Sequence, residues 1–272
     1  MYFKPVSYLA AKILNTYSKP YKSVIFVAST GRSGTGTLHK IFESLGHVKA
    51  YHEPRPIMHA KLMIDKNNGD DTEAKRTFYD VKTNMIALEN LSGKYDHYME
   101  ANHMFIKSFY EYTYDYFKNK LKVIYLKRDP LLVAKSMYEP DTIPGKNKLG
   151  NKWYLDYKGK NNIIKMESQL DNELTHDYYK CLWYCYEIEA RVMKMKNELK
   201  DLEVIDIDIS DLNDLEKVEE LLSKLDVEFD NDKLKNVVGL KHNKKVESKI
   251  RTIDLSECKE MHSRFLEFLG NR

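Results

Sequence analysis

Hydrophobic positions along the chain alternate between two spacings. Val24 to Ala28 is an unbroken apolar run rich in β-branched and aromatic residues, which predicts a strand buried on both faces. Leu38, Ile41, Phe42 and Leu45 then recur at the i, i+3, i+4, i+7 spacing of a helix's buried face, and Gly46 stands at the C-cap position. Further strands are predicted at His47–Tyr51, His97–Ala101, Leu121–Leu126 and Leu202–Asp208. Between them lie a helix or helical turn over Pro54–Asn68 and a helix over Asp71–Asn90. Met104–Lys118 carries an aromatic stripe of Phe105, Phe109, Tyr112 and Tyr116, expected to be core. Asp129 as N-cap with Pro130 at the first helical position opens another helix, running through Val133, Ser136 and Met137.

Glu139 to Thr175 has no steady period and carries Pro140, Pro144, Gly145, Gly150 and Gly159; it reads as a long excursion and a candidate substrate lid. Helix returns over Asp177–Leu199. Asn213 and Glu216 have capping-box spacing ahead of Val218, Leu221, Leu222 and Leu225, and Cys258, Met261, Phe265 and Phe268 mark a last helix ending at Gly270. Tyr8, Leu9, Ile13 and Leu14 have the spacing of a short amphipathic helix. The expected fold is α/β: a single domain with a parallel sheet of about five strands flanked by helices, residues 23–272, behind an N-terminal extension, 1–22.

The chain has 272 residues, 42% hydrophobic and 31% charged, which suffices for one α/β domain with a core. A net charge of +3 is too small to indicate a nucleic-acid partner, though a local patch is enough to bind an anion. Three cysteines form neither a disulfide framework nor a zinc pattern, and Cys181 and Cys185, four apart, read as buried thiols of a reducing compartment. No signal-peptide core and no transmembrane run is seen, so a cytoplasmic location is expected.

Ser29 to Gly36 is small, polar and glycine-rich, and it joins the first strand to the first helix. Such a turn points backbone N–H groups, a helix N-terminus and Arg32 at one spot, which predicts a phosphate-like ligand. Gly31 and Gly36 have the separation of a nucleotide-hydrolysing P-loop, but Thr37 stands where that loop needs lysine. Arg32-Ser33-Gly34-Thr35 instead fits an Arg/Lys-Ser-Gly-Thr pattern. Arg128, at the end of a later strand, and Ser136, eight residues on, can reach a second phosphate from the same crevice.

Together these loops resemble the two motifs of sulfotransferases that use 3′-phosphoadenosine 5′-phosphosulfate (PAPS), a family with a P-loop NTPase-like fold. The resemblance spans roughly Val24 to Leu225, and Tyr125 to Tyr138 is similar to the second motif throughout. It implies that Arg32, Ser33, Gly34, Thr35, Gly36 and Thr37 hold the 5′-phosphosulfate. Arg128 and Ser136 would hold the 3′-phosphate, with Lys244 of the basic stretch Lys241–Lys245 as a further contact. The product would be adenosine 3′,5′-bisphosphate (PAP), with no metal required.

For catalysis Arg32 is assigned electrostatics only, since arginine does not give up its proton. The base that takes the acceptor's proton is Glu53 as first choice, His103 as second and His52 as third. The acceptor is a hydroxyl or amine compound, and Trp153, Tyr154 and Tyr157 among lysines lean toward a carbohydrate. The competing readings are a kinase or GTPase with an eroded P-loop, and a non-catalytic nucleotide-binding protein.

Overall fold

The computed structural model describes residues 18–240 and 250–270. The amphipathic N-terminal segment around Tyr8 and the basic stretch with Lys241, Lys244 and Lys245 lie outside the described residues. Five strands form one parallel sheet: β1 (Ser23–Ala28), β2 (Val48–His52), β3 (His97–Ala101), β4 (Leu121–Lys127) and β5 (Glu203–Asp208), in the order β2-β3-β1-β4-β5. The chain leaves β1 toward one edge and leaves β4 toward the other. The crevice beyond the tips of β1 and β4 is therefore a topological switch point, where ligands bind in open α/β sheets.

Both faces of the sheet are covered, as the apolar strands require. Val24, Phe26 and Ala28 of β1 belong to one core and Ile25 and Val27 to the other, following the two-residue period of a strand. Six helices matter most to the site and its support: α1 (Thr35–Ser44), α2 (Lys61–Asn67), α3 (Pro130–Tyr138), α4 (Asp177–Glu198), α5 (Leu215–Lys224) and α6 (Leu255–Gly270). Leu38, Ile41 and Phe42 of α1 pack with Val218, Leu221 and Leu222 of α5 on one face. α3, α4 and α6 cover the other, together with Phe105, Phe109 and Tyr112 of the aromatic stripe, which is core as expected. Tyr116, the last of that stripe, is exposed.

Asp129 caps α3 as expected, its Oδ1 accepting from Leu131 N at 2.9 Å with Pro130 behind it. The cap of α5 is not Asn213, which belongs to a 3-10 turn (Ser210–Asn213). Asp214 takes the role, its carboxylate accepting from Glu216 N and Lys217 N. The helix expected over 71–90 is continuous in direction but contains a π-helical turn at Phe78–Lys82.

The aperiodic stretch 139–175 holds two short helices, Lys148–Trp153 and Glu167–Asn172, and buries Ile143, Leu155, Met166, Leu170 and Leu174 in the main core. Buried polar groups pin it further. Glu187 of α4 accepts from Ile163 N and Ile164 N, and Trp183 Nε1 donates to Ile164 O at 2.9 Å. No helix among the described residues is long and apolar enough to cross a membrane.

Candidate active site

The turn between β1 and α1 is shaped by left-handed residues. Gly31, Arg32 and Gly34 have φ of +76°, +58° and +91°. Mixing left-handed and right-handed residues in this way turns neighbouring N–H groups toward one concavity. Both glycines are also required sterically. A Cβ on Gly31 would lie 2.8 Å from His103 Nδ1, and one on Gly34 would lie 2.8 Å from the Ile209 side chain.

α1 starts at this concavity with Gly34 as its N-cap, without a side-chain cap and without an acidic residue in its first turn. Thr37 N–H bonds back to Gly34 O, and no side chain caps the N–H groups of Thr35 and Gly36. Ser33 is fully buried and its Oγ has no hydrogen-bond partner in the protein. A buried hydroxyl left in that state costs about 1–3 kcal/mol, which an arriving anion would remove.

Arg128 reaches this spot from the tip of β4, its Nη1 donating to the Arg32 carbonyl. Burial, and then the neighbouring Arg32 charge, disfavour the cationic form of Arg128. Two guanidiniums held together repel, and an anion between them relieves the repulsion. Ser136 is half-buried two turns into α3 and donates to its own helix, at Val133 O (2.8 Å), rather than meeting Arg128. Thr35 Oγ1 meets His52 Nε2 at 3.0 Å, which places His52 beside the loop. Lys244 lies outside the described residues.

Across the loop stand the predicted bases. Glu53 has φ +50°, a left-handed value that a glutamate adopts only under constraint, and its N–H donates to Ala101 O at 3.2 Å. Met58 and Ala60 also have positive φ, so the segment from Glu53 to Ala60 carries strain at these positions. The kink brings Glu53 Oε1 to 3.4 Å from His103 Nε2. His52 and Glu53 do not simply point to opposite faces as a regular strand would have them: the turn at Glu53 brings both to the crevice.

His103 follows β3 and is 5% exposed. Burial, then the cation of Lys107, then His52, hold its pKa well below the usual imidazole value, while the Thr30 carbonyl pulls the other way. The ring is neutral at physiological pH.

Two features escaped sequence reasoning. Lys107 is wholly buried, its Nζ 2.7 Å from His103 Nδ1, 2.7 Å from Trp153 O and 3.0 Å from Tyr184 Oη. A lysine four residues after a histidine, inside an otherwise aromatic stripe, was the available signal. Beneath the strained segment, Lys82 and Glu100, 2% and 0% exposed, form an ion pair of 2.7 Å. Tyr98 Oη and Asn102 Nδ2 donate to the same carboxylate, and Lys82 also donates to Pro56 O. His59 and Trp153, with ring centroids 4.8 Å apart, wall the side facing His103.

A separate cleft of about 700 Å³, lined in part by Lys66, Glu111, Lys160, Arg191 and Lys194, contains none of the predicted site residues. Along α4, Arg191 is about 10 Å from Tyr184 at 1.5 Å of rise per residue.

Fold and site together define a parallel α/β protein with a glycine-rich loop at the switch point of its sheet, opposite a carboxylate and an imidazole. The sulfotransferase domain family matches residues 22–205, more than half of the chain, and the chain belongs to that family. Among solved structures it is similar to a sulfotransferase from Alicyclobacillus acidocaldarius, at 13% identity over 92% of each chain with a TM-score of 0.51. It is also similar to the sulfotransferase domain of the curacin biosynthetic pathway, at 14% identity over 92% of this chain and 99% of that one, with a TM-score of 0.50. At such identities the likeness is one of fold. No curated protein sequence matches the chain.

Proposed function

We propose that the protein transfers a sulfuryl group from PAPS to an acceptor hydroxyl or amine, leaving PAP. The observation that carries this reading is the anion site itself. An uncapped helix N-terminus, a buried unpartnered Ser33 hydroxyl and two touching arginines converge where the sheet reverses. Thr37 in the place of a P-loop lysine argues against a nucleotide kinase, and the Glu53–His103 pair argues against a purely binding role.

PAPS would bring the sulfuryl group and its phosphate leaving group. The loop from Arg32 to Thr37 binds that end, with Arg32 and the loop N–H groups balancing charge on the transferring oxygens. Arg128 takes the 3′-phosphate, and Ser136 joins it by turning its hydroxyl from Val133 O. Glu53 receives the acceptor's proton as the new bond to sulfur forms. The strained backbone at Glu53 serves this role by aiming the carboxylate into the crevice instead of along the strand. A carbohydrate acceptor is favoured by the half-buried indole of Trp153 and the imidazole of His59, which offer a sugar ring a flat apolar wall beside polar groups.

The test is an acceptor screen. The protein is incubated with PAPS and a panel of sugars, phenols, alcohols and amines, and the mixture is read for PAP by chromatography and for sulfated product by mass spectrometry. Acceptor-dependent PAP release is expected, strongest with carbohydrates. Hydrolysis of ATP or GTP, with no PAP from any acceptor, would overturn the reading.

A further inference from the structure

We infer that Lys107 is a positioning residue that fixes the tautomer of His103, so that the ring carries its proton on Nε2, facing Glu53, and Glu53 rather than His103 takes the acceptor's proton. The inference deepens the sulfuryl-transfer reading, but its first half, the tautomer, does not depend on that reading.

An ammonium has three N–H donors and no acceptor. Lys107 Nζ has three neighbours within hydrogen-bond distance. The Trp153 carbonyl can only accept. Tyr184 Oη donates its own proton to Thr30 O at 2.6 Å, so toward Lys107 it accepts. With Lys107 as the ammonium, the third N–H goes to His103 Nδ1 at 2.7 Å, which is then the unprotonated nitrogen. The rings of Tyr184 and Tyr154 add favourable contact with the cation, at 5.3 and 5.7 Å from Nζ to their centroids. The proton of the neutral ring is left on Nε2, whose nearest carboxylate oxygen is Glu53 Oε1 at 3.4 Å. That contact is long for a hydrogen bond and of the kind that tightens when a substrate closes the site.

Two other arrangements have the same number of protons, both with a neutral amine that accepts from Nδ1–H: a neutral ring beside a protonated Glu53, and an imidazolium beside an ionised Glu53. In the first of these the carboxyl already holds the proton it is meant to receive, and in the second the charge sits on a ring whose burial opposes it. Burial opposes the Lys107 cation, but the two oxygen acceptors at Nζ and the Glu53 charge favour it, which gives the form in which Glu53 is ionised and a neutral imidazole separates it from the Lys107 charge. Both nitrogens of His103 are then engaged, and the ring has no lone pair to offer an acceptor hydroxyl. The groups facing the ring are Lys107 on its own helical turn, Glu53 and His52 after β2, His59 beyond them, the Thr30 carbonyl, and the rings of Trp153 and Tyr154. Among these, Lys107 is the cation in direct contact.

The experiment uses the full chain, free of ligand and labelled with ¹⁵N-histidine. Long-range proton–nitrogen correlation spectra report which ring nitrogen of His103 is protonated. The wild-type protein should show Nε2–H as the dominant tautomer near pH 7.5; a dominant Nδ1–H would overturn the inference without any variant being made. In Lys107→Met the tautomer preference should weaken and the pKa of His103 should rise by at least about one pH unit, since a neighbouring cation has been removed. A folded Lys107→Met protein with the same tautomer ratio and the same His103 titration would overturn it equally.

If the tautomer is as stated but wild-type protein forms no PAP from PAPS, the positioning stands and the proposed reaction falls. If PAP forms while Nδ1 carries the proton, the reaction stands and the positioning falls.

Discussion

Arg128→Ala should abolish the protein's preference for a 3′-phosphate while sparing its grip on a 5′-phosphate. Arg128 is half-buried at the tip of β4 and donates to the Arg32 backbone, and the nearby Asp129 charge only partly offsets its burial and the repulsion from Arg32, so its charge favours an anionic ligand. A hydrogen bond to a charged group contributes about 1.5–3 kcal/mol, which predicts a loss of roughly 10- to 150-fold in PAP affinity. Two smaller effects act on the free protein. Losing the bond to the Arg32 carbonyl costs about 0.5–1.5 kcal/mol, and losing the repulsion between the two guanidiniums offsets part of it. The unliganded variant should therefore melt within a few degrees of wild type. Isothermal titration with PAP and with AMP, which lacks the 3′-phosphate, separates the contributions. Wild type should bind PAP far more tightly than AMP; the variant should bind the two within a few-fold of each other, with AMP affinity nearly unchanged. Because the arginine remains partly solvated, added salt should weaken PAP binding more in wild type than in the variant. An unchanged PAP-to-AMP ratio in Arg128→Ala would refute the assignment of this residue to the 3′-phosphate.

Further outcomes rest on the same geometry. Glu53→Gln should leave PAP binding intact and lower turnover by about 10²–10⁴, the usual contribution of a general base. His103→Gln, whose amide can accept from Lys107 and donate to Glu53, should lose much less; a loss equal to that of Glu53→Gln would return the base role to His103. Acid should destabilise the fold through His103: its folded pKa lies well below the ordinary value, so below about pH 6.5 the unfolded chain takes up a proton that the folded ring refuses. Stability thus falls as pH drops from about 6.5 toward the folded pKa, and His103→Gln should flatten that fall in urea titrations by up to about 1.4 kcal/mol per pH unit. Trp153→Ala should raise the KM for the acceptor and leave the Kd for PAP unchanged, as read by steady-state kinetics and titration. Glu100→Gln leaves the Lys82 ammonium buried without its counter-ion and should cost about 3–5 kcal/mol of stability by urea unfolding, with turnover reduced as Glu53 loses its support.

What could be read from the sequence was what local chemistry determines. The apolar run Val24–Ala28, the glycines after it and the period of Leu38, Ile41 and Phe42 each carry their own signal, and they coincide with β1, the anion loop and α1. Asp129 and Pro130 start α3 for the same reason. The stretch 139–175 was opaque because its helices are six residues each, too short to show a period, and because polar groups from other elements hold it in place. Asn213 was misread as a cap because a 3-10 turn ends there, which moves the helix start on by one residue. The left-handed backbone at Glu53 has no signature, since glutamate does not favour that conformation; it follows from the pairing with β3 and from what lies beneath.

What lies beneath explains how such a conformation persists. A glutamate in left-handed backbone, followed by Met58 and Ala60 at positive φ, would relax if its surroundings were soft. Glu100 stands next to the last residue of β3, and its carboxylate accepts from Tyr98, Asn102 and Lys82. Lys82 passes the restraint on to the Pro56 carbonyl, and Asn102 extends toward Ile57 O. A wholly buried ion pair adds little net stability, because the desolvation of two charges cancels most of their attraction. Its value here is directional: it anchors the middle of the segment that aims Glu53, at Pro56 and Ile57, to β3 of the sheet. The carboxylate expected to receive a proton and the imidazole behind it are therefore each placed by a buried lysine, Lys82 through the backbone and Lys107 through the ring. Neither lysine has a hydrogen bond to the proposed anion loop, which is why a mutation at either should change turnover before it changes PAP affinity.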